Sequence, residues 1–229
     1  MNNTFFIGFD FSINKPAATI LAPNNEYYFF AWPISLTKNA NEAYSSLKSE
    51  YISVYNRDLD AVSDADVSEL TRLHTLRSVN LANKIISDIE KFISTHSENA
   101  PLKIYIATEG LSYGSRGNVM LDLATYKGVF LGKIYETFKS NLAGLYTYSP
   151  ITIKSIAGAA GKNNVHSKTP MIDAFLREPD NMFKFVLKDK TLKNKNNKYF
   201  ACVDDIVDSY FVLKTMMIKQ DLYYLMNTK

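Results

Sequence analysis

Phe5-Phe6-Ile7-Gly8-Phe9-Asp10-Phe11 is an apolar run broken by a single acid, and its reading decides the fold. Apolar residues without polar alternation describe a central strand buried on both faces. A carboxylate inside such a strand is costly unless it meets a cation, a hydrogen-bonding partner or the end of the sheet. Ala17 to Ala22 and Tyr27 to Ile34 are two more strand candidates. Pro23-Asn24-Asn25-Glu26 between them is turn chemistry, so the pair reads as a hairpin. The chain therefore opens with three strands, antiparallel in sequence order.

Downstream the periodicity changes. Thr37 to Asp66 is polar with scattered aromatics and reads as an insertion with some helix. Leu70, Leu73, Arg77, Leu81, Ile85, Ile89 and Phe92 recur at helical spacing and predict a long helix from about Asp66 to Thr95. Leu102 to Thr108 alternates and forms a fourth strand ending at Glu109, followed by the glycine-rich loop Gly110 to Gly117. Asn118 is an N-cap candidate for a helix carrying Leu121, Ala124, Gly128, Leu131 and Tyr135 on one face. Leu145 to Ser149 is a fifth strand, stopped by Pro150. Lys168 to Arg177 reads as a short helix, Asp180 to Lys198 as a basic loop or hairpin, and Val203 to Ile218 as the last strong helix. This order predicts an α/β fold, a central mixed five-stranded sheet flanked by helices. Without a repeat or a low-complexity linker, residues 1–229 are expected to form one domain, with insertions at about 37–66 and 180–198.

Composition excludes several classes. At 229 residues, 46% hydrophobic and 21% charged, the chain can bury a substantial core without cross-links. Its one cysteine, Cys202, rules out a disulfide framework or a zinc cluster and makes a reducing, cytoplasmic setting the expectation. The opening residues lack a signal-peptide pattern, and no apolar stretch is long enough to span a bilayer, so no membrane association is expected. The net charge of +3 says little, but its distribution says more. From Lys154 to Lys198, ten lysines and arginines face only Asp173, Glu178, Asp180 and Asp189, a balance suited to neutralising phosphates. The plain reading of Lys193-Asn194-Lys195-Asn196-Asn197-Lys198 is a solvated loop.

Asp10 in its strand, Glu109 at the end of another, and Asp205-Ile206-Val207-Asp208 form the chemical signal. Asp205 and Asp208 lie three apart and share a helix face, where like charges repel unless something positive intervenes. Carboxylates from separate elements suit a site for Mg²⁺, with Mn²⁺ as substitute, because oxygen-only ligands favour these ions over zinc. Two such ions can activate a water and stabilise the leaving oxygen in phosphodiester hydrolysis, with no need for cysteine or histidine. The plain readings are a strand-end cap for Asp10, a loop acid for Glu109 and a solvent-facing Asp208. Asp204 suits the positive end of the helix dipole.

Ile7-Gly8-Phe9-Asp10-Phe11-Ser12 followed by a hairpin resembles the opening of RuvC-type Holliday junction resolvases. Ile106-Ala107-Thr108-Glu109 resembles that family's strand ending in a glutamate, and Ala124-Thr125-Tyr126-Lys127-Gly128-Val129 its next helix. Tyr148-Ser149-Pro150 through Lys154 resembles the strand and lysine that follow, and Asp204-Asp205-Ile206-Val207-Asp208-Ser209 the terminal helix. The resemblance implies a ribonuclease H-like fold and a homodimer that cuts four-way DNA junctions. It implies Asp10, Glu109, Asp205 and Asp208 as metal ligands. It also implies Lys154, with Lys162 or Lys168, near the scissile phosphate. The family's aromatic wedge has Tyr113 as its nearest match, about one position late. For a phage or viral member of such a family the setting is the host cytoplasm. Arg116, in the same loop as Tyr113, is a phosphate-contact candidate on its own position.

Gly158-Ala159-Ala160-Gly161-Lys162-Asn163 fails as a phosphate loop, because Ile156 stands where glycine is needed and Asn163 where a hydroxyl is needed. His166 reads as a surface residue, His74 and His96 as structural, and Cys202 as a small buried one. Other readings of the same acids are an RNA–DNA hybrid ribonuclease or a phage packaging nuclease. An actin-like or sugar-kinase ATPase needs a second lobe for which the chain lacks room. A catalytically dead binding module does not explain four retained acids.

Overall fold

The computed structural model describes residues 3–34, 36–47, 49–57, 67–111, 118–160, 169–188 and 191–226. Strand β1 (Thr4–Asp10) runs antiparallel to β2 (Ala17–Leu21), which runs antiparallel to β3 (Tyr27–Ala31). After helix α1 (Lys38–Ser46), strand β4 (Ile52–Val54) pairs parallel with β3. The long helix α2 (Val67–His96) leads to β5 (Lys103–Glu109), parallel to β1. Helix α3 (Asn118–Phe138) returns the chain to β6 (Leu142–Tyr148), parallel to β5. Helices α4 (Pro150–Ala157), α5 (Thr169–Arg177), α6 (Met182–Lys188) and α7 (Val203–Lys219) follow, then a 3₁₀ turn at Tyr223–Met226. The sheet order is β4-β3-β2-β1-β5-β6.

The expected α/β architecture is the one observed, a mixed sheet flanked by helices, but with six strands rather than five. The additional strand, β4, lies inside the stretch read as an insertion. Its three residues are too few to show a period, and its pairing with Phe29, Phe30 and Ala31 is a tertiary choice. The expected basic loop over 180–198 instead begins with α6, whose Phe183 and Leu187 are buried. The Asn181 side chain accepts from the Lys184 amide at 3.0 Å and caps it. A further helix, α4, stands where no helix was expected. Ser149 caps it by accepting from the Thr152 amide, Pro150 occupies its first turn, and Gly158 closes it at φ 66°.

Strand side chains alternate between faces, which sorts the core. Phe5, Ile7, Phe9, Ile104 and Ile106 pack with α2 and α3 on one face. Phe6 and Ala107 pack with α4, α5, α6 and α7 on the other. By the same parity Gly8, Asp10 and Glu109 belong to the α7 face. Helix α7 is apolar nearly all round, as a helix enclosed between the sheet and α4 and α5 must be. No described helix is long and apolar enough to cross a membrane.

Candidate active site

Gly8 brings α7 to the sheet. A Cβ there would overlap the backbone carbonyl of Ser209 and the amide of Leu213, and would stand 2.7 Å from Leu213 Cβ. Only a residue without a side chain lets the helix backbone lie this close to β1. Beside this contact Thr19, paired with Gly8 across the sheet, shares a 2.8 Å hydroxyl hydrogen bond with Ser209. With Ser209 fixed over Gly8, Asp205 and Asp208 fall toward the end of β1 that carries Asp10. The parallel register Phe9↔Thr108 sets Asp10 beside Glu109.

The four acids thus meet at one end of the sheet. Burial pushes the Asp10 carboxyl well above the usual carboxylate range, and the negative charges of Asp208, Glu109 and Asp205 push it further. The Asp10 and Glu109 carboxyl groups lie within hydrogen-bonding reach of each other, and that contact raises Asp10 further while lowering Glu109. Burial also raises Glu109, against the hydrogen bond from Asp10 and the positive charges of Lys127 and Lys154. Asp205 is 9% exposed. Among the described residues, no three carboxylate, histidine or cysteine side chains close into a ready-made metal cage. A set of oxygen donors from β1, β5 and α7 that raise one another's pKa fits a hard divalent ion.

Lys127 was not among the expected site residues. It comes from α3, on the opposite face of the sheet, and its Nζ donates to the carbonyl oxygen of Glu109 at the end of β5. It is 7% exposed, and burial lowers its pKa while Glu109 and Asp10 raise it. Its signal was its position on the inward side of the helix, one residue after the buried Tyr126 and three before the buried Phe130. Lys154, exposed on α4, adds positive charge near Glu109 from the other face. An open groove of about 570 Å³ adjoins Gly110, Lys127, Thr147 and Ser149. Tyr113, Arg116, Lys162 and Lys168 lie outside the described residues, as does His166. His74 pairs with Asp122 and His96 with the Phe92 carbonyl. Cys202 is buried at the start of α7 with φ 79°.

These charges make stability depend on pH and on cations. Asp10 binds its proton more tightly folded than unfolded, so stability attributable to it is full below its unfolded pKa. That part declines as pH rises from the ordinary carboxylate range through the raised folded value. Each unit of separation corresponds to about 1.4 kcal/mol. In chelator at pH 8, Asp10→Asn is therefore expected to melt above the unsubstituted protein, with the difference shrinking toward pH 4. Mg²⁺ should raise the melting temperature of the unsubstituted protein more than that of the variant. Thermal denaturation with and without Mg²⁺ checks this, and a lower melting temperature for Asp10→Asn in chelator at pH 8 would contradict it.

No protein-family model matches the chain, and no curated protein sequence matches it. In shape it is similar to RuvC of Thermus thermophilus solved with a Holliday junction substrate, at 10% identity and a TM-score of 0.48, over 95% of this chain and 96% of that one. A second structure of Thermus thermophilus RuvC is 9% identical with a TM-score of 0.44, over 94% of this chain and 96% of that one. The yeast mitochondrial Holliday junction resolvase Ydc2 is 14% identical with a TM-score of 0.46, over 99% of this chain and 82% of that one.

Proposed function

We propose that this chain is a divalent-metal-dependent, structure-selective endodeoxyribonuclease that resolves four-way DNA junctions. The observation that carries the nuclease reading is the meeting of Asp10, Glu109, Asp205 and Asp208 at one end of the sheet, with the charges of the other three all acting on Asp10. In this reading the four carboxylates hold Mg²⁺, or Mn²⁺ in its place. Two such ions would supply an activated water and charge stabilisation at the leaving oxygen.

The chain's own residues orient the reaction. The Gly8 contact fixes α7, and through it the spacing of Asp205 and Asp208 from Asp10. Lys127 ties the end of β5 in place through the Glu109 carbonyl. Lys154 offers a cation to the phosphate beside Glu109. Tyr113, Arg116, Lys162 and Lys168 are assigned to DNA contact from the sequence alone: Tyr113 to stack at the opened junction, the others to hold phosphates.

The four-way junction and the homodimer follow from the family resemblance and from symmetry. A two-fold dimer can present two sites to two symmetry-related strands. In light scattering and competition binding, we expect a dimer that holds a four-way junction at least about tenfold more tightly than linear duplex of equal length, about 1.4 kcal/mol. A cleavage panel of junction, duplex, flap and RNA–DNA hybrid in Mg²⁺ completes the test. A monomer that ignores the junction and cuts the hybrid would replace the resolvase reading with a hybrid ribonuclease while keeping the acids in their roles.

A further inference from the structure

We propose that a second surface, a basic groove beside the acids, holds the backbone of a DNA strand as it leaves them; the strand's identity as DNA rests on the nuclease reading. The groove has a cavity of about 650 Å³ between the β1–β2 loop, the segment joining β3 to α1, and residues 194–201. Lys15 lines it on one side and Lys195 on the other, with the amides of Asn39, Asn194 and Asn196 and the ring of Tyr199 between them.

The lysine-rich wall has a defined shape. Leu192 is fully buried and anchors it, and its carbonyl accepts from the Phe200 amide at 2.9 Å. Lys193 and Tyr199 form an antiparallel bridge, and the Asn194 amide donates to the Lys198 carbonyl at 2.8 Å. The Asn194 side chain accepts from the amides of Asn196 and Lys198 at 2.9 and 3.1 Å, and Asn197 turns the chain at φ 58°. Tyr44 holds the base of the wall, its hydroxyl donating to the Ala201 carbonyl at 2.7 Å.

Charge accounting separates this wall from the lysines of α6 and from Lys214 of α7. Lys184 and Lys188 pair with Asp180, and Lys214 with Glu178. Residues 191–200 contain Lys193, Lys195 and Lys198 and no acid. Among the described residues no carboxylate forms an ion pair with these three or with Lys15, so their charge is available to an anion outside the chain. Both walls are close to the acids along the chain. Lys15 follows Asp10 by five residues, and Ala201 precedes Asp205 by four. At ~3.5 Å per residue, Lys15 lies at most ~18 Å from Asp10, and Lys195, ten residues before Asp205, at most ~35 Å from it, reaches of about five and ten nucleotides at ~3.4 Å rise. A site built of four carboxylates repels phosphate, and a flanking row of unneutralised lysines is what keeps a strand there.

The test compares two full-length variants of equal charge. One is Lys15→Gln/Lys195→Gln/Lys198→Gln. The other is Lys91→Gln/Lys103→Gln/Lys139→Gln, three exposed lysines well away from the groove. Binding to a four-way junction and to duplex is measured in chelator between 50 and 200 mM NaCl, with circular dichroism to confirm folding. Each lost phosphate contact lowers the slope of log affinity against log salt by about 0.9. We expect the groove variant to lose about two to three units of slope and at least about tenfold in affinity, with the control unchanged. Equal slopes and affinities for the two variants would overturn the groove and leave the nuclease reading intact. Groove-dependent binding by a protein that cuts no substrate would keep the groove and remove the nuclease reading. Absence of DNA binding by the unsubstituted chain would remove both.

Discussion

Asp10→Asn is expected to lower Mg²⁺-dependent cleavage of a four-way junction by about a thousandfold or more, while leaving junction binding intact or tighter. Asp10 is the acid on which the other three act, so losing its charge weakens the cation site at its centre. Metal catalysis contributes several kcal/mol of transition-state stabilisation, and about 4 kcal/mol corresponds to about three decades in rate. Binding responds in the opposite sense, because one fewer negative charge faces the phosphates. Single-turnover cleavage and filter binding separate the two effects. Substantial Mg²⁺-dependent cleavage by the variant would remove Asp10 from the site. Glu109→Gln should behave similarly, since Glu109 stands beside Asp10 at the end of the neighbouring strand.

The second large effect falls on a residue with no chemistry of its own. Gly8→Ala places a methyl group against the backbone of Ser209 and Leu213, which cannot move aside as a side-chain tip can. Overpacking typically costs about 1–3 kcal/mol, and the backbone overlap puts Gly8→Ala near about 3 kcal/mol. In a chain of this length that is a drop of about 6–12 °C in melting temperature. Displacing α7 also moves Asp205 and Asp208 away from Asp10, so residual folded protein should require more Mg²⁺ for half-maximal cleavage. Gly132→Ala is the control. Nothing described lies within 4 Å of its added Cβ, and alanine is the better helix former by about 1 kcal/mol. Equal melting temperatures for the Gly8→Ala variant and the unsubstituted protein would contradict this account of how α7 is seated.

Much of this arrangement was legible in the residues themselves. An acid in an apolar strand is conspicuous because burial makes it costly, and Asp10 and Glu109 were found that way. The spacing of Asp205 and Asp208 announced a shared helix face without reference to the rest of the fold. Strand β4 was not legible, since three residues carry no period. Helix α6 was hidden by lysines that make 182–188 look like solvent-facing loop, although Lys184 is itself buried against the Glu178 carbonyl and Asp180. Gly8 read as one more member of a strand, because its purpose depends on a helix two hundred residues away. Lys127 is illegible in the sequence for the same reason. A lysine inside a helix is usually solvated, and only the fold carries this one across the sheet's end to Glu109.

The most direct test of the carboxylate site is a crystal of the protein grown or soaked with Mn²⁺, with anomalous diffraction recorded to locate the metal. The account predicts anomalous density at the end of β1 and β5, ligated by Asp10 together with Glu109, Asp205 and Asp208, at oxygen distances of about 2.0–2.3 Å. Density elsewhere on the chain, or a site at which Asp10 is not a ligand, would contradict it.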